Sequence, residues 1–228
     1  MPPLADIHAA LSSPRLAAYR APGEDDRVAL ARYVWNLQLC EAFYPAFHLL
    51  EVSLRNSLDA AITARSGTDH WYTPEAAILD AAEAREVEKV RAQLRGTHGG
   101  REPHPGQVVA GLMFGFWTSL FKRSYEHQQR LWPHILRDVL PGMPRTSRKR
   151  SVAAGRFHDL RQARNRIFHH EPIWNRDPAR LRLELFEAIT WVSPASRALV
   201  DQIDRSGTLV TFDQASMLNL VDKSLQTD

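Results

Sequence analysis

The sequence predicts an all-helical bundle, and three observations carry that expectation. Apolar residues recur at three- and four-residue spacing through most of the chain, which is the period of a helix with one buried face. Helix-start signals of the form Ser-Pro, Thr-Pro and Asp-Pro punctuate it at Ser13-Pro14, Thr73-Pro74, Asp177-Pro178 and Ser193-Pro194. The one strand-like run, Leu209-Val210-Thr211-Phe212, is too short to make a sheet alone.

Taken in order, Ser13-Pro14 opens a short helix toward Arg20, with proline where its missing N–H costs nothing. Glu24 to Ser66 reads as one long helical stretch in which Pro45 predicts a kink or a break. Val34, Leu37, Phe47, Leu50, Leu54 and Leu58 form its buried stripe, and Ser66-Gly67-Thr68 ends it. Thr73-Pro74 restarts a helix to about Leu94, acidic early and basic late as the helix dipole favours. Gly96 to Gly106, with Gly99-Gly100 and two prolines, is the least regular stretch. Val108 to Tyr125 is the most apolar helix, and Gly111 and Gly115 within it allow close helix approach. A short helix follows Trp132-Pro133, and Pro141 to Pro144 form a turn. Ser147 to about His170 form a basic helix that ends before Pro172. Asp177-Pro178 starts a helix through about Val192, and Ser193-Pro194 starts the last one. The expected organisation is a single helical domain over residues 1–205 and a C-terminal tail over 206–228.

The chain has 228 residues, enough for one good core. Hydrophobic content of 44% and charged content of 24% are ordinary for a soluble globular protein. No apolar run approaches the roughly 18–20 residues that span a bilayer. Met1 to Asp6 lack a basic segment followed by an apolar one, so neither a signal peptide nor a membrane partner is expected. A single cysteine, Cys40, cannot form an internal disulfide and reads as a small buried hydrophobe, in keeping with a cytoplasmic protein.

Charge is uneven. Between Arg145 and Arg182 stand eleven basic residues against Asp159, Glu171 and Asp177, a local +8 in a chain of net +3. Such a segment is the footprint of a polyanion-binding face, although basic helices are also often just solvated. Inside it lies Arg164-Asn165-Arg166-Ile167-Phe168-His169-His170. On a helix Asn165 and His169 share a face, Arg161 joins that row one turn earlier, and Arg164 sits about 100° away, near enough to swing its guanidinium toward the imidazole.

Arginine, amide and imidazole together suit RNA cleavage without a metal or other cofactor. The 2′-hydroxyl must lose a proton and the leaving 5′-oxygen must gain one, and an imidazole can do either. The five-coordinate phosphorus gathers negative charge that a guanidinium binds through two hydrogen bonds. An amide orients the ring or a phosphate oxygen. With one such histidine per chain, an acid–base pair calls for a second copy, hence a homodimer with a composite site. The bland alternative is an Arg…His pair arising by chance in a helix. His170 beside His169 raises zinc, but adjacent helical residues diverge and make a poor chelate.

Glu51 and Arg55 form an i,i+4 pair that is either an ordinary intrahelical salt bridge or a support for the motif helix, with His170 a further supporting candidate. Arg148, Lys149, Arg161, Arg166 and Arg176 are candidate phosphate contacts, and Trp174 a candidate base-stacking platform. The remaining aromatics read as core.

These residues resemble a known family. Arg164 to His169 match the Arg-polar-x3-His form of the R-x4-6-H motif of HEPN domains. Leu160 to Arg176 (LRQARNRIFHHEPIWNR) resembles the Abi-like, abortive-infection branch, as do Leu50 to Asn56 and the Met113-Phe114-Gly115-Phe116-Trp117 segment with Leu120-Phe121. The resemblance covers about residues 28–200. It implies a HEPN-like antiparallel helical bundle with extra peripheral helices, dimerised so that two motifs meet. It also implies endoribonuclease activity in phage defence or as a toxin, with Arg164 and His169 catalytic and Asn165 assisting. An antitoxin protein or a small RNA would be a further partner. Where nucleotidylated HEPN toxins carry a tyrosine two residues past the histidine, this chain has Glu171. The alternative within the resemblance is a non-catalytic RNA-binding or oligomerisation module, and beyond it a helical scaffold.

Overall fold

The computed structural model describes residues 4–97 and 99–226, so Met1 to Pro3 of the N-terminal reading lie outside the described residues. The protein is all-α: the described residues hold twelve α-helices, two single 3₁₀ turns and no strand. Helices α1 (Leu4–Leu11) and α2 (Ser13–Ala17) precede the long α3 (Asp26–Ser66). Then come α4 (Ala81–Thr97), α5 (Pro105–Gly111), α6 (Phe114–Ser119), α7 (Arg123–His127) and α8 (Leu136–Val139). The motif helix α9 (Arg150–Phe168), α10 (Pro178–Val192), α11 (Pro194–Ile203) and α12 (Gln214–Gln226) complete the chain. No helix among the described residues is long and apolar enough to cross a membrane.

Two compact units share the chain. The chain up to Pro45, Ala163–Leu183 and the chain from Ile203 on form the first, and Ala46–Gln162 with Glu184–Gln202 form the second. Residues 206–226 of the expected 206–228 tail are therefore part of the first unit, and residues 227 and 228 lie outside the described residues. Val221 of α12 is buried in one cluster with Leu16, Leu30 and Ala31. Leu209 to Phe212 form no strand. The Leu209 carbonyl accepts from the Trp35 indole at 2.8 Å, and the Phe212 ring lies 5.0 Å from that of Trp35. Asp213 then starts α12 by accepting from the Ser216 N–H at 3.1 Å.

Helix α3 runs through Pro45 without a break. The ring removes one backbone bond, but Phe43 and Phe47 on either side are both buried, and that burial outweighs the loss. Phe47, Leu50, Leu54 and Leu58 form the expected buried stripe. The stripe fails at Leu37, which is 48% exposed, because the inward positions of the first half are Arg32, Trp35, Asn36 and Leu39.

In the second unit the boundaries depart from the sequence signals. Pro74–Ala76 is a lone 3₁₀ turn closed by left-handed Ala77, and the helix begins only at Ala81. Asp80 makes that start: its carbonyl accepts from the Ala84 N–H at 2.9 Å while its carboxylate is held by Arg130 and Ser124. The described part of Gly96 to Gly106 is anchored, since Glu102 accepts from Arg91 Nε at 2.9 Å and Arg95 Nη1 at 3.0 Å.

The single apolar helix expected over Val108 to Tyr125 is instead α5, α6 and α7. Leu112 and Met113 are extended. A straight helix would carry Leu112, Phe114, Phe116, Trp117, Leu120, Phe121 and Tyr125 around its whole circumference and expose some of them. Broken, it buries all seven. Glu51 Oε1 accepts from the Phe114 N–H at 3.0 Å, and the Trp117 indole donates to the Leu112 carbonyl at 3.1 Å, so the break is hydrogen-bonded on both sides. Phe121 then stacks on Trp132 at 4.7 Å and meets Phe157 of α9 at 4.9 Å. Gly111 gives the close approach expected of it, since a Cβ there would stand 2.7 Å from Val90 Cγ1; at Gly115 nothing lies within 4 Å.

Two glycines give opposite expectations. A Cβ on Gly142 would lie 2.1 Å from the Thr190 carbonyl oxygen, where Gly142 N–H already donates to Trp191 O at 3.0 Å. Gly142→Ala should therefore destabilise by about 1–3 kcal/mol in urea unfolding. Gly155 sits in α9 with open space around its Cβ position, so Gly155→Ala should raise stability by about 0.5–1 kcal/mol in the same titration.

Candidate nucleic-acid site at the end of the motif helix

Helix α9 ends at Phe168, and the end is built around left-handed His170 (φ 60). The His170 N–H donates to Ile167 O at 3.1 Å and the Glu171 N–H to Arg166 O at 2.8 Å, the paired bonds of a Schellman closure. The His169 N–H still reaches Asn165 O at 2.8 Å, so the last helical bond joins the two motif residues that the spacing put on one face. His169 is exposed and Asn165 half-buried. Arg164 differs from the expected swing toward the imidazole: its guanidinium lies over the Phe168 ring, 4.1 Å from the centroid. Phe168 in turn touches Tyr44 of α3, with ring centroids 5.7 Å apart.

The chain leaving the motif is held by side chains the sequence analysis did not select. Asn36, 2% exposed, accepts with Oδ1 from the N–H groups of Ile173 at 2.9 Å and Trp174 at 3.1 Å. Arg15 donates to the His170 carbonyl. Buried Arg32 donates to Tyr19 O at 2.7 Å and to both Glu24 oxygens, and its guanidinium sits 4.8 Å from the Trp174 ring and 5.1 Å from the Phe212 ring. The signal was present: Arg32 and Asn36 are polar residues four apart among Ala31, Trp35 and Leu39.

No family model matches the chain, and no curated protein or solved structure matches it.

The remaining sequence-derived candidates fall in different places. Trp174 is built into the fold, with its indole donating to Ala18 O at 3.1 Å and one ring face under Arg32. Arg166 donates to Pro172 O at 3.3 Å and pairs with Glu171 at 3.4 Å, which leaves Arg176 exposed beyond it. In the second unit Arg148 caps the 141–144 turn through Met143 O, Lys149 is exposed, and Arg161 lines a polar cavity with Glu86, Lys122 and His158. Glu51 caps α6, while Arg55 Nε donates to Asn56 Oδ1 at 3.3 Å. Three arginines of the +8 segment are paired with carboxylates outside it: Arg150–Glu126 at 2.8 Å, Arg156–Glu187 at 2.6 Å and Arg182–Asp204 at 2.6 Å.

Among the described residues no group of three His, Cys, Asp or Glu side chains is placed to hold a metal. Burial pushes the Cys40 thiol up to about 11, against a contact from Asn36, so it is protonated and unreactive at neutral pH.

Arg32 and a backbone bond from Ala21 hold the Glu24 carboxyl down at about 2, against an ordinary 4.5. A carboxyl depressed on folding stabilises the native state above its unfolded value and loses that contribution as protons return. Stability of the wild type should thus fall as pH drops from about 4.5 toward about 2, and the Glu24→Gln variant should show a flatter profile across that window in pH-dependent urea melts. Asn36→Leu strands the buried Ile173 N–H and the part-buried Trp174 N–H and should cost on the order of 2 kcal/mol; thermal unfolding checks it.

Proposed function

We propose that the protein is a metal-independent endoribonuclease of the HEPN type, acting in phage defence or as a toxin. The observation that carries this reading is an exposed imidazole, that of His169, one helical turn after Asn165 at the end of a basic helix, with the Arg164 guanidinium over Phe168 in the same last turns. An imidazole takes the 2′-hydroxyl proton, and the 2′-oxygen attacks the adjacent phosphorus. The P–O5′ bond breaks, and a protonated imidazole returns a proton to the leaving oxygen. The products are a 2′,3′-cyclic phosphate and a 5′-hydroxyl. Arg164 is the group to bind the charge that develops on the phosphoryl oxygens, and Asn165 the group to orient the ring. One chain supplies one such imidazole, so the second comes from the facing copy of a homodimer.

One observation favours a second reading, a non-catalytic RNA-binding module. The Arg164 guanidinium stacks on Phe168, a placement that leaves its N–H edge to bind phosphate without requiring any part for it in proton transfer.

Mixed RNA incubated with the purified protein in EDTA should be cut to fragments ending in 2′,3′-cyclic phosphate. His169→Ala should lower the rate by about 10²–10⁴-fold and leave binding intact. Arg164→Lys, which keeps the charge but loses the fork, should fall in rate more than in affinity. Binding by the wild type without any cleavage would favour the module instead, and no binding even at low salt, where phosphate contacts are strongest, would remove both readings.

A further inference from the structure

Beside the motif, and within the first unit alone, a cavity of about 950 Å³ opens between α3, the end of α9 and the chain around Ile203–Leu209. Its wall is mostly apolar, with Tyr44, Pro45, Ile167, Phe168, Ile203 and Leu209 as the main surfaces. Ordinary cores bury such aromatics, yet here Tyr44 is 52% exposed and Phe168 39% exposed. Their rings meet at 33°, and the far partner of Phe168 is the Arg164 guanidinium. An unbroken series of contacts therefore runs from the motif arginine through a phenyl ring to a half-exposed phenol at the groove.

The polar groups around the cavity are few and of mixed kind. Gln38 and Glu41 stand on α3, seven and four residues before Pro45, and Arg205 and His170 also line the cavity. This is the composition of a small-molecule site: an apolar body with a few hydrogen-bonding groups to fix orientation. An amide and a carboxylate offer donors and acceptors to a flat heteroaromatic edge, while the Arg205 cation suits the phosphate that follows it. Flat aromatic faces half-open to water are the surfaces on which unpaired bases stack.

We propose that this groove receives an unpaired nucleobase of the RNA, the one adjoining the phosphate at the motif, with Tyr44 as its stacking platform and Gln38 and Glu41 against its edge. The inference rests on RNA being the ligand and deepens that reading by assigning where base preference arises. Stacking on Tyr44 extends the ring series that ends at Arg164, so base binding and phosphate binding are side by side. Trp174, the aromatic selected from sequence, is engaged by Arg32 and Ala18, and the groove assigns the stacking role to Tyr44.

The test uses the full chain and single-stranded 2′-fluoro decamers, which lack the attacking hydroxyl and so stay intact. Homopolymers of the four bases are compared by fluorescence anisotropy with an abasic decamer of equal phosphate count. The wild type should bind at least one homopolymer roughly 5- to 150-fold tighter than the abasic strand, the range for one stacked base. Tyr44→Ala should bind every decamer at the abasic level, and Tyr44→Phe should keep the wild-type preference. Equal wild-type affinity for base-bearing and abasic strands overturns the proposal, as does a preference that survives in Tyr44→Ala. A parallel cleavage assay on ordinary RNA separates this outcome from the nuclease reading. Cleavage with a base preference unmoved by Tyr44→Ala removes the groove and keeps the enzyme, whereas Tyr44-dependent base binding without cleavage does the reverse.

Discussion

A buried guanidinium organises the part of the protein that carries the motif. Taking an arginine out of water costs several kcal/mol unless its charge and its donors are met. Arg32 is only 6% exposed, and its environment meets both needs: the Glu24 carboxylate engages both terminal nitrogens, the Tyr19 carbonyl accepts one of them, and Trp174 and Phe212 contribute ring faces. Those partners come from three separate stretches of chain, so none of them can relax independently. The connection between α2 and α3, the exit from α9 and the approach to α12 are fixed by one cation. Asn36, one helical turn on, adds the hydrogen bonds that hold Ile173 and Trp174.

This arrangement separates support from exposure. Buried, fully engaged polar groups on α3 hold the chain that leaves the motif, while the motif imidazole itself stays exposed to solvent. Burying the supporting groups fixes the chain that leaves the motif, and their rigidity keeps the exposed imidazole in a defined place. The groove beside the motif follows the same division: its walls are set by helices, and only Tyr44 and Phe168 present large exposed rings. In the second unit the polar residues serve architecture instead, with Glu51 holding the break before α6 and Arg148 capping a turn.

Particular residues show where sequence reasoning reaches and where it stops. Asp177-Pro178 and Ser193-Pro194 predict the starts of α10 and α11 to the residue, because a cap acts through bonds to its own next turn: Asp177 Oδ1 to the Arg180 N–H at 3.0 Å, Ser193 Oγ to the Ser196 N–H at 3.1 Å. The same kind of signal misleads at Thr73-Pro74, where the turn formed is too short to propagate and Asp80 sets the helix start through tertiary partners. Leu37 reads as core by its apolar side chain, yet the inward face there belongs to a charged and an amide residue whose partners lie over 100 residues away for Asn36. The charge asymmetry is similarly local: Arg150, Arg156 and Arg182 count as surface charge in a window and are paired in the fold.

By itself the sequence determined the helical class, the caps of α10 and α11 and the spacing that sets Asn165 and His169 on one face, since each depends on hydrogen bonds and periodicity within a few residues. Only the tertiary structure decided that Pro45 stays inside a helix, that the apolar stretch 108–125 divides in three, that Arg164 lies on Phe168, and that Arg32 and Asn36 hold the exit of the motif helix. Those outcomes turn on burial and on partners distant along the chain. No local window contains the energies that decide them.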